Sequence, residues 1–325
     1  MTASPAGHAL SVRNLSVEFP SGRGRLLAID DVSFDVAPGE ILGLVGESGA
    51  GKSLTGSAII GLIEPPGRIA SGEILLAGRR IDNLDDTQMR HVRGREIGMI
   101  FQDPRTSLNP LFTVSRQLTD TIREHRPMSA TAARQEALRL LEMVGIPAAA
   151  QRLDSYPHEF SGGMCQRVVI ALALAAGPRL IIADEPTTAL DVSTQAQIMK
   201  VMKDLCKSSG SAMMLITHSM GVIAALADRV AVMYAGRIVE IGPVADVILH
   251  PRHPYSKGLI ASIPSLEQKM ARFSQIDGAM PRLGRWPGGC SFHPRCPSRM
   301  DVCSTVRPEL TEKGNAMMAC WLDAS

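Results

Sequence analysis

Gly46-Glu47-Ser48-Gly49-Ala50-Gly51-Lys52-Ser53 is the stretch that decides the fold of this 325-residue chain. Before it stands Ile41-Leu42-Gly43-Leu44-Val45, apolar and branched enough for a buried parallel strand. After it, Leu54-Thr55-Gly56-Ser57-Ala58-Ile59-Ile60 reads as the first turns of a helix. Strand, G-x-x-x-x-G-K-S and helix, in that order, is the context a phosphate-binding loop requires. The glycines let the backbone curl so that successive N–H groups surround the phosphates, with the helix N-terminus behind them. Lys52 is expected to reach the β- and γ-phosphates and the Ser53 hydroxyl to ligate Mg²⁺. A Gly-rich turn that binds nothing is the plainer alternative, and the Lys-Ser pair with both flanking elements weighs against it.

Composition narrows the classes. A hydrophobic content of 45% with 20% charged residues suits a globular chain that buries a sizeable core. The net charge of +2 argues against bulk nucleic acid as a partner, and 4% aromatics leave little for stacking single strands. The longest apolar run, Val168 to Ala176, stops at Gly177-Pro178, well short of the ~18–20 residues a bilayer span needs. Met1 to Leu10 lacks a basic segment followed by an apolar one, so no signal peptide is expected. The expected location is cytosolic, or peripheral on the cytosolic side of a membrane.

Along the chain, Leu10–Phe19 and Ala28–Val36 read as strands separated by a turn over Pro20–Arg25. Strands are also expected at Ser71–Gly78 and Ile97–Phe101. From Val114 to Gly145 apolar residues recur at helical spacing, ending at Gly145-Ile-Pro147. A second α/β run follows, with strands at Leu180–Ala183, Met213–Thr217 and Val230–Met233. From Ile276 the chain is rich in Pro, Gly, Arg and Cys, a loop-rich appendage that a packed core alone would not hold.

Leu180-Ile-Ile-Ala-Asp184-Glu185 is the second decisive stretch. An apolar strand ending in two acids suits a Mg²⁺-nucleotide site beside a phosphate loop. Asp184 would hold the metal's water shell, and Glu185 would polarise the attacking water as general base.

With Phe160-Ser161-Gly162-Gly163-Met164-Cys165-Gln166-Arg167 the chain resembles the ATP-binding subunits of ABC transporters, whose signature sequence this is. A Ser and two glycines before a helix again form an anion site. The resemblance implies that it closes over the γ-phosphate bound to the opposite subunit. Met164 replaces the commoner Gln, a change frequent in peptide-permease members. Gln102 resembles the family's glutamine on Mg²⁺ and the attacking water. Ala189-Leu190-Asp191 resembles the loop that talks across the dimer, His218 the histidine on the γ-phosphate, and Phe19 an adenine-stacking aromatic. A soluble repair or translation ATPase of the same type predicts a long coiled-coil insertion or two phosphate loops, and neither is present. A non-catalytic regulatory relative is expected to lack Glu185 or His218.

Phe101–Pro110, His253-Pro-Tyr-Ser-Lys257 and Gly289–Trp321 are similar to stretches of the dipeptide/oligopeptide permease branch. The implied fold is a P-loop α/β core with an antiparallel β subdomain and a helical subdomain over about 103–178. The ATPase domain is expected over 8–260 and a small Cys-containing extension over 261–325. The implied partners are a paralogous ATPase, two permease subunits and an extracytoplasmic binding protein, at the cytoplasmic face of the inner membrane. Peptides are the default cargo; nickel chelates, glutathione and other small solutes are carried by close relatives.

Cys165 and Cys206 read as lone buried thiols, whereas Cys290, Cys296, Cys303 and Cys320 crowd the tail. Their spacing lacks paired C-x₂-C knuckles, so zinc is not compelling. Four thiolates without histidine suit a [4Fe–4S] cluster, which the family comparison also implies for some members; zinc, free thiols or a disulfide stay open. His293 is a spare ligand or a turn former, and Arg295, Arg299 and Arg307 are expected to offset the thiolate charge.

Overall fold

The computed structural model describes residues 7–22, 24–187, 191–262 and 275–322. In chain order the first elements are β1 (Leu10–Ser21), β2 (Gly24–Val36), β3 (Ile41–Val45), α1 (Lys52–Ile59), β4 (Arg68–Leu76) and β5 (Arg79–Arg80). Next come α2 (Asp86–Val92), β6 (Ile97–Ile100), α3 (Val114–His125), α4 (Ala130–Met143), α5 (Ala149–Arg152), α6 (Gly162–Leu174), β7 (Leu180–Asp184) and α7 (Val192–Ser209). The chain continues through β8 (Ala212–Thr217), α8 (Met220–Leu226), β9 (Arg229–Tyr234), β10 (Arg237–Pro243), α9 (Val244–Leu249) and α10 (Pro254–Ala261). It ends on β11 (Thr311–Lys313) and β12 (Ala316–Met318). Two compact units emerge: Met1–Asp35 with Leu42–Asp82 and Leu215–Ser325, and Val36–Ile41 with Asn83–Met214.

The first unit holds an antiparallel sheet in the order β2-β1-β4-β5. Its apolar face is contributed by Leu10, Val12, Leu15 and Val17 of β1 and Ile74 and Leu76 of β4, each at most 1% exposed. The β1–β4 register slips around Ser16, beside Asn14 at φ 46°, a bulge that bends the strand. The expected turn over Pro20–Arg25 is shorter in the structure, because β1 and β2 run on to Ser21 and from Gly24.

The same unit carries the strands β11-β12-β10-β9-β3. β3 pairs β9 in parallel from Leu42 with Arg229 to Val45 with Val232, and all five β3 residues are buried. β9 returns through Ala235-Gly236 into antiparallel β10. The tail is more than loops: β12 pairs antiparallel with β10, Glu240 opposite Met318 and Ile241 opposite Met317, and β11 adds beyond it. Three-residue strands offer too little alternation to stand out in a sequence.

In the second unit β6 and β7 pair in parallel, Ile97 with Leu180 through Ile100 with Ala183. The single helical stretch expected over Val114–Gly145 is two helices, α3 and α4. Pro127 forces the break, since it lacks an N–H and drives Arg126 to an extended φ of −132°. Ser129 then restarts the chain by accepting the Ala132 N–H at 3.2 Å. Val114, Leu118, Ile122, Ala137, Leu140 and Leu141 are buried among these helices, each burial stabilising by roughly 1.5–3 kcal/mol for the larger side chains. Among the described residues no helix is long and apolar enough to cross a membrane.

Candidate ATP site and cysteine module

β3 delivers the chain to the phosphate loop, and glycine is required there by contact as well as by conformation. A Cβ on Gly46 would lie 2.2 Å from the Met233 carbonyl oxygen. Gly51 sits at φ 105° just before α1, which begins with no side-chain cap. A helix start without a side-chain cap is the kind of place where the N-terminal backbone and its dipole favour an anion. Lys52 is 6% exposed, and its ammonium donates to the Gly46 and Glu47 carbonyls at 2.9 and 3.1 Å. Ser48, Gly49 and Ser53 are exposed, Ala50 is buried, and Glu47, Gly51 and Leu54 are half-buried. His218 is exposed directly after β8, whose residues are all buried. Phe19 is half-buried, its ring within 2.5 Å of where a Gly67 side chain would begin.

Asp184 ends β7 half-buried after four buried residues, and the chain then turns sharply. Glu185 has φ 44°, the left-handed region that an L-residue occupies at a cost of order 1–3 kcal/mol and that clusters at functional sites. Its carboxylate accepts a hydrogen bond from Gln102 Nε2 at 3.1 Å, so the second residue after β6 and the first after β7 meet. The expected general base and the expected water-contacting amide are thus one pair.

Ser161 caps α6, its hydroxyl accepting the Met164 N–H at 3.3 Å, with half-buried Gly162 and Gly163 as the first helical residues. A backbone N–H fills this role, so Met in place of Gln leaves the cap unchanged. Asp191 caps α7 in the same way, accepting the Thr194 N–H at 2.9 Å. Ala189 and Leu190 of the expected dimer loop lie outside the described residues.

The tail gathers its cysteines. Cys290, Cys296, Cys303 and Cys320 line one small cavity of about 10 Å³ with His253, Phe292 and His293. No disulfide joins any of the six cysteines, and Cys165 and Cys206 are buried as expected. Among the described residues no three His, Cys, Asp or Glu side chains lie close enough to share one metal ion. Burial pushes the Cys290 thiol up to about 11, with the other three cysteines adding to it, and also raises Cys296. His293 Nδ1 lies 2.9 Å from the Cys290 carbonyl, a turn contact.

Two of the arginines expected to offset thiolate charge are engaged elsewhere. Arg307 pairs with Asp30 and Asp31. Arg295 is 6% exposed and grips the Glu47 carboxylate with both terminal nitrogens, at 2.7 and 3.0 Å. The Tyr255 hydroxyl accepts the Glu47 N–H at 2.8 Å. Tyr255, Tyr234 and Phe292 form one aromatic cluster, with ring centroids 4.7–5.3 Å apart. Sequence reading missed this grip on the phosphate loop. His253-Pro-Tyr and Phe292-His-Pro-Arg stood out as stretches, but nothing in either pointed at Glu47.

Residues 29–188 match the ABC transporter family, and residues 239–303 match the oligopeptide/dipeptide transporter C-terminal region. The chain is 49% identical to the dipeptide transport ATP-binding protein DppD of Bacillus subtilis, over 96% of this chain and 94% of that one. This chain belongs to the oligopeptide/dipeptide ABC transporter ATP-binding proteins. Within the family it is 46% identical to the oligopeptide transport ATP-binding protein OppD of Salmonella typhimurium, over 98% of this chain and 94% of that one. Among solved structures, the dimeric post-hydrolysis state of the ATP-binding cassette MJ0796 with ADP and Pi is similar, at a TM-score of 0.65 and 28% identity. It covers 72% of this chain and 98% of that one.

Proposed function

We propose that this chain is the ATP-hydrolysing subunit of an importer that carries dipeptides and oligopeptides across the cytoplasmic membrane. The observation that carries the reading is a phosphate loop and a Gln102–Glu185 pair in one chain with the oligopeptide/dipeptide C-terminal region. Gly46 to Leu54 with Lys52 would hold the ATP phosphates, Phe19 the adenine, and His218 the γ-phosphate. Ser53, Gln102 and Asp184 would hold Mg²⁺, which neutralises charge on the phosphate oxygens when bound. Glu185 takes the proton of the attacking water while Gln102 orients it. Ser161, Gly162 and Gly163, with Asp191, would complete the site of a second ATPase subunit, and the similar cassette is itself a dimer with ADP and Pi.

The second ATPase is a paralogue in this reading, over two permease subunits and an extracytoplasmic binding protein. The chain sits at the cytoplasmic face of the inner membrane through the permeases, with 8–260 as the ATPase domain and 261–325 as the extension. The experiment is reconstitution of the chain with its permeases and binding protein in proteoliposomes. ATP hydrolysis should rise when a peptide-loaded binding protein is added. Equal turnover with and without peptide would argue for another cargo.

For the cysteine module we infer a structural [4Fe–4S] cluster, with zinc as the second reading. Four sulfurs line one cavity, with His253 and His293 beside them. Among the described residues no three of these side chains lie close enough to share one metal ion, so zinc and a cluster alike would require the thiols to move. The cavity has room for about one water, so the thiols would have to turn outward to admit a cluster. Anaerobic purification with iron and zinc analysis and a visible spectrum decides: colourless protein with stoichiometric zinc ends the cluster reading.

A further inference from the structure

The Lys52 ammonium is held by two carbonyls of its own loop, and one of them belongs to Glu47. The two peptide units that meet at Glu47 therefore fix the seat of the phosphate-binding lysine. Glu47 is held from outside the loop. Its N–H donates to the Tyr255 hydroxyl at 2.8 Å, and in the same trans peptide unit the Gly46 carbonyl, the other acceptor of Lys52, points the opposite way. The Glu47 side chain is gripped in two places by Arg295, a fork geometry that fixes direction as well as distance.

Both holding residues lead to the cysteine module. Arg295 ends a single helical turn, His293–Arg295, between Cys290 and Cys296. That turn is built on module backbone: the Cys290 N–H donates to the Cys303 carbonyl at 2.9 Å, and the His293 N–H to the Cys290 carbonyl at 3.0 Å. Arg295 Nε donates to the Asp277 carbonyl at 2.8 Å, so the guanidinium is braced on the tail side as well. Phe292, 2% exposed, anchors the turn in the aromatic cluster with Tyr234 and Tyr255. Glu47 and Arg295 are 248 residues apart in sequence, so the pair joins the start of the ATPase core to the tail.

We propose that the cysteine module is a positioning clamp for the phosphate loop: Arg295 and Tyr255 hold Glu47, Glu47 holds Lys52, and nucleotide affinity is coupled to the fold of the module. The proposal rests on the reading of residues 46–53 as the ATP phosphate site and does not depend on which metal, if any, the thiols hold. Arg295 and Tyr255 act through Glu47 and are positioning residues. Coupling of this kind is reciprocal. What weakens the clamp weakens nucleotide binding, and bound nucleotide steadies the module.

The test uses the full chain titrated with a fluorescent ATP analogue and Mg²⁺. Arg295→Gln and Glu47→Gln should each weaken binding by about 5-fold or more, within the usual range of site coupling. The double variant should be no worse than the poorer single one, because the two residues act as one contact. Arg295→Lys should restore less than half of the loss, a point charge replacing a fork. Tyr255→Phe removes only a hydroxyl and is the decisive variant if an arginine variant fails to fold; it should weaken binding in the same direction. The second readout is hydrogen–deuterium exchange over 289–303, which should slow with nucleotide in the natural chain and not in Arg295→Gln. Unchanged affinity in Tyr255→Phe and Glu47→Gln, additive losses in the double variant, or exchange blind to nucleotide would each overturn the clamp. Lys52→Ala is the control: if it binds nucleotide normally, the phosphate-loop reading fails, a result distinct from failure of the clamp.

Discussion

Glu185 is held at a positive φ with its carboxylate accepting from the Gln102 amide, a contact that a glutamine oxygen can also make. Glu185→Gln is therefore expected to keep the local geometry while removing the proton acceptor. ATP should still bind and hold the dimer closed, with turnover down by ~10²–10⁴. Steady-state hydrolysis in the assembled transporter measures it, and an unchanged rate would show that another group takes the proton. His253 gives a second residue-scale expectation. It is 1% exposed, its Nδ1 accepts the Tyr255 N–H at 3.0 Å, and burial lowers its pKa to about 3. The unfolded chain binds a proton below about pH 6.5 that the folded chain refuses until about pH 3. Stability contributed by neutral His253 is thus present above pH 6.5 and lost as pH falls toward 3, by at most ~1.4 kcal/mol per pH unit. His253→Asn keeps an N-cap acceptor and removes the titration. Its denaturant-unfolding free energy should fall less steeply between pH 6 and 4; an identical slope would show that His253 does not carry the effect.

Helix starts show what the sequence can and cannot reveal. Ser161 is both the N-cap of α6 and the expected contact to the partner's γ-phosphate, and one substitution separates the two roles. Ser161→Asp is an equal or better cap, so thermal stability should hold within about 0.5 kcal/mol. A carboxylate facing a γ-phosphate is repelled, so ATP-dependent dimerisation of a Glu185→Gln background should be lost. Light scattering with and without ATP reads this directly, and a dimer that persists would place the second nucleotide contact elsewhere. The strand, loop and helix around Lys52 were legible because every feature lies within some twenty consecutive residues. The two acids at the end of β7 were legible for the same reason. Pro127 was equally local, yet the helical spacing on both sides of it masked the break between α3 and α4. The strands β11 and β12 were not legible, since three residues carry no period and the strand they extend from, β10, lies nearly eighty residues before its partners in β12. The Arg295–Glu47 pair was beyond reach for the same physical reason: long-range ion pairs leave no pattern in the local sequence.

At the scale of the molecule, the chain carries one phosphate loop and one Ser161-Gly162-Gly163 helix start, and in the proposed arrangement each completes the site of another subunit. Binding energy can drive transport only if it differs between the open and closed states of that pair. A second ATPase whose surface differs from this one would make the closed pair a heterodimer. Purified alone, this chain should then bind ATP through Gly46–Leu54 but hydrolyse it slowly at every protein concentration. Adding the paralogue should raise turnover to a maximum at a 1:1 ratio, because each mixed pair supplies both completed sites. Membrane attachment should follow the same logic: co-expressed permeases should carry the chain into the membrane fraction, and alkaline washing should release it. Full transport-level hydrolysis by this chain alone, rising with the square of its concentration at high dilution, would identify a homodimer instead and remove the paralogue from the assembly.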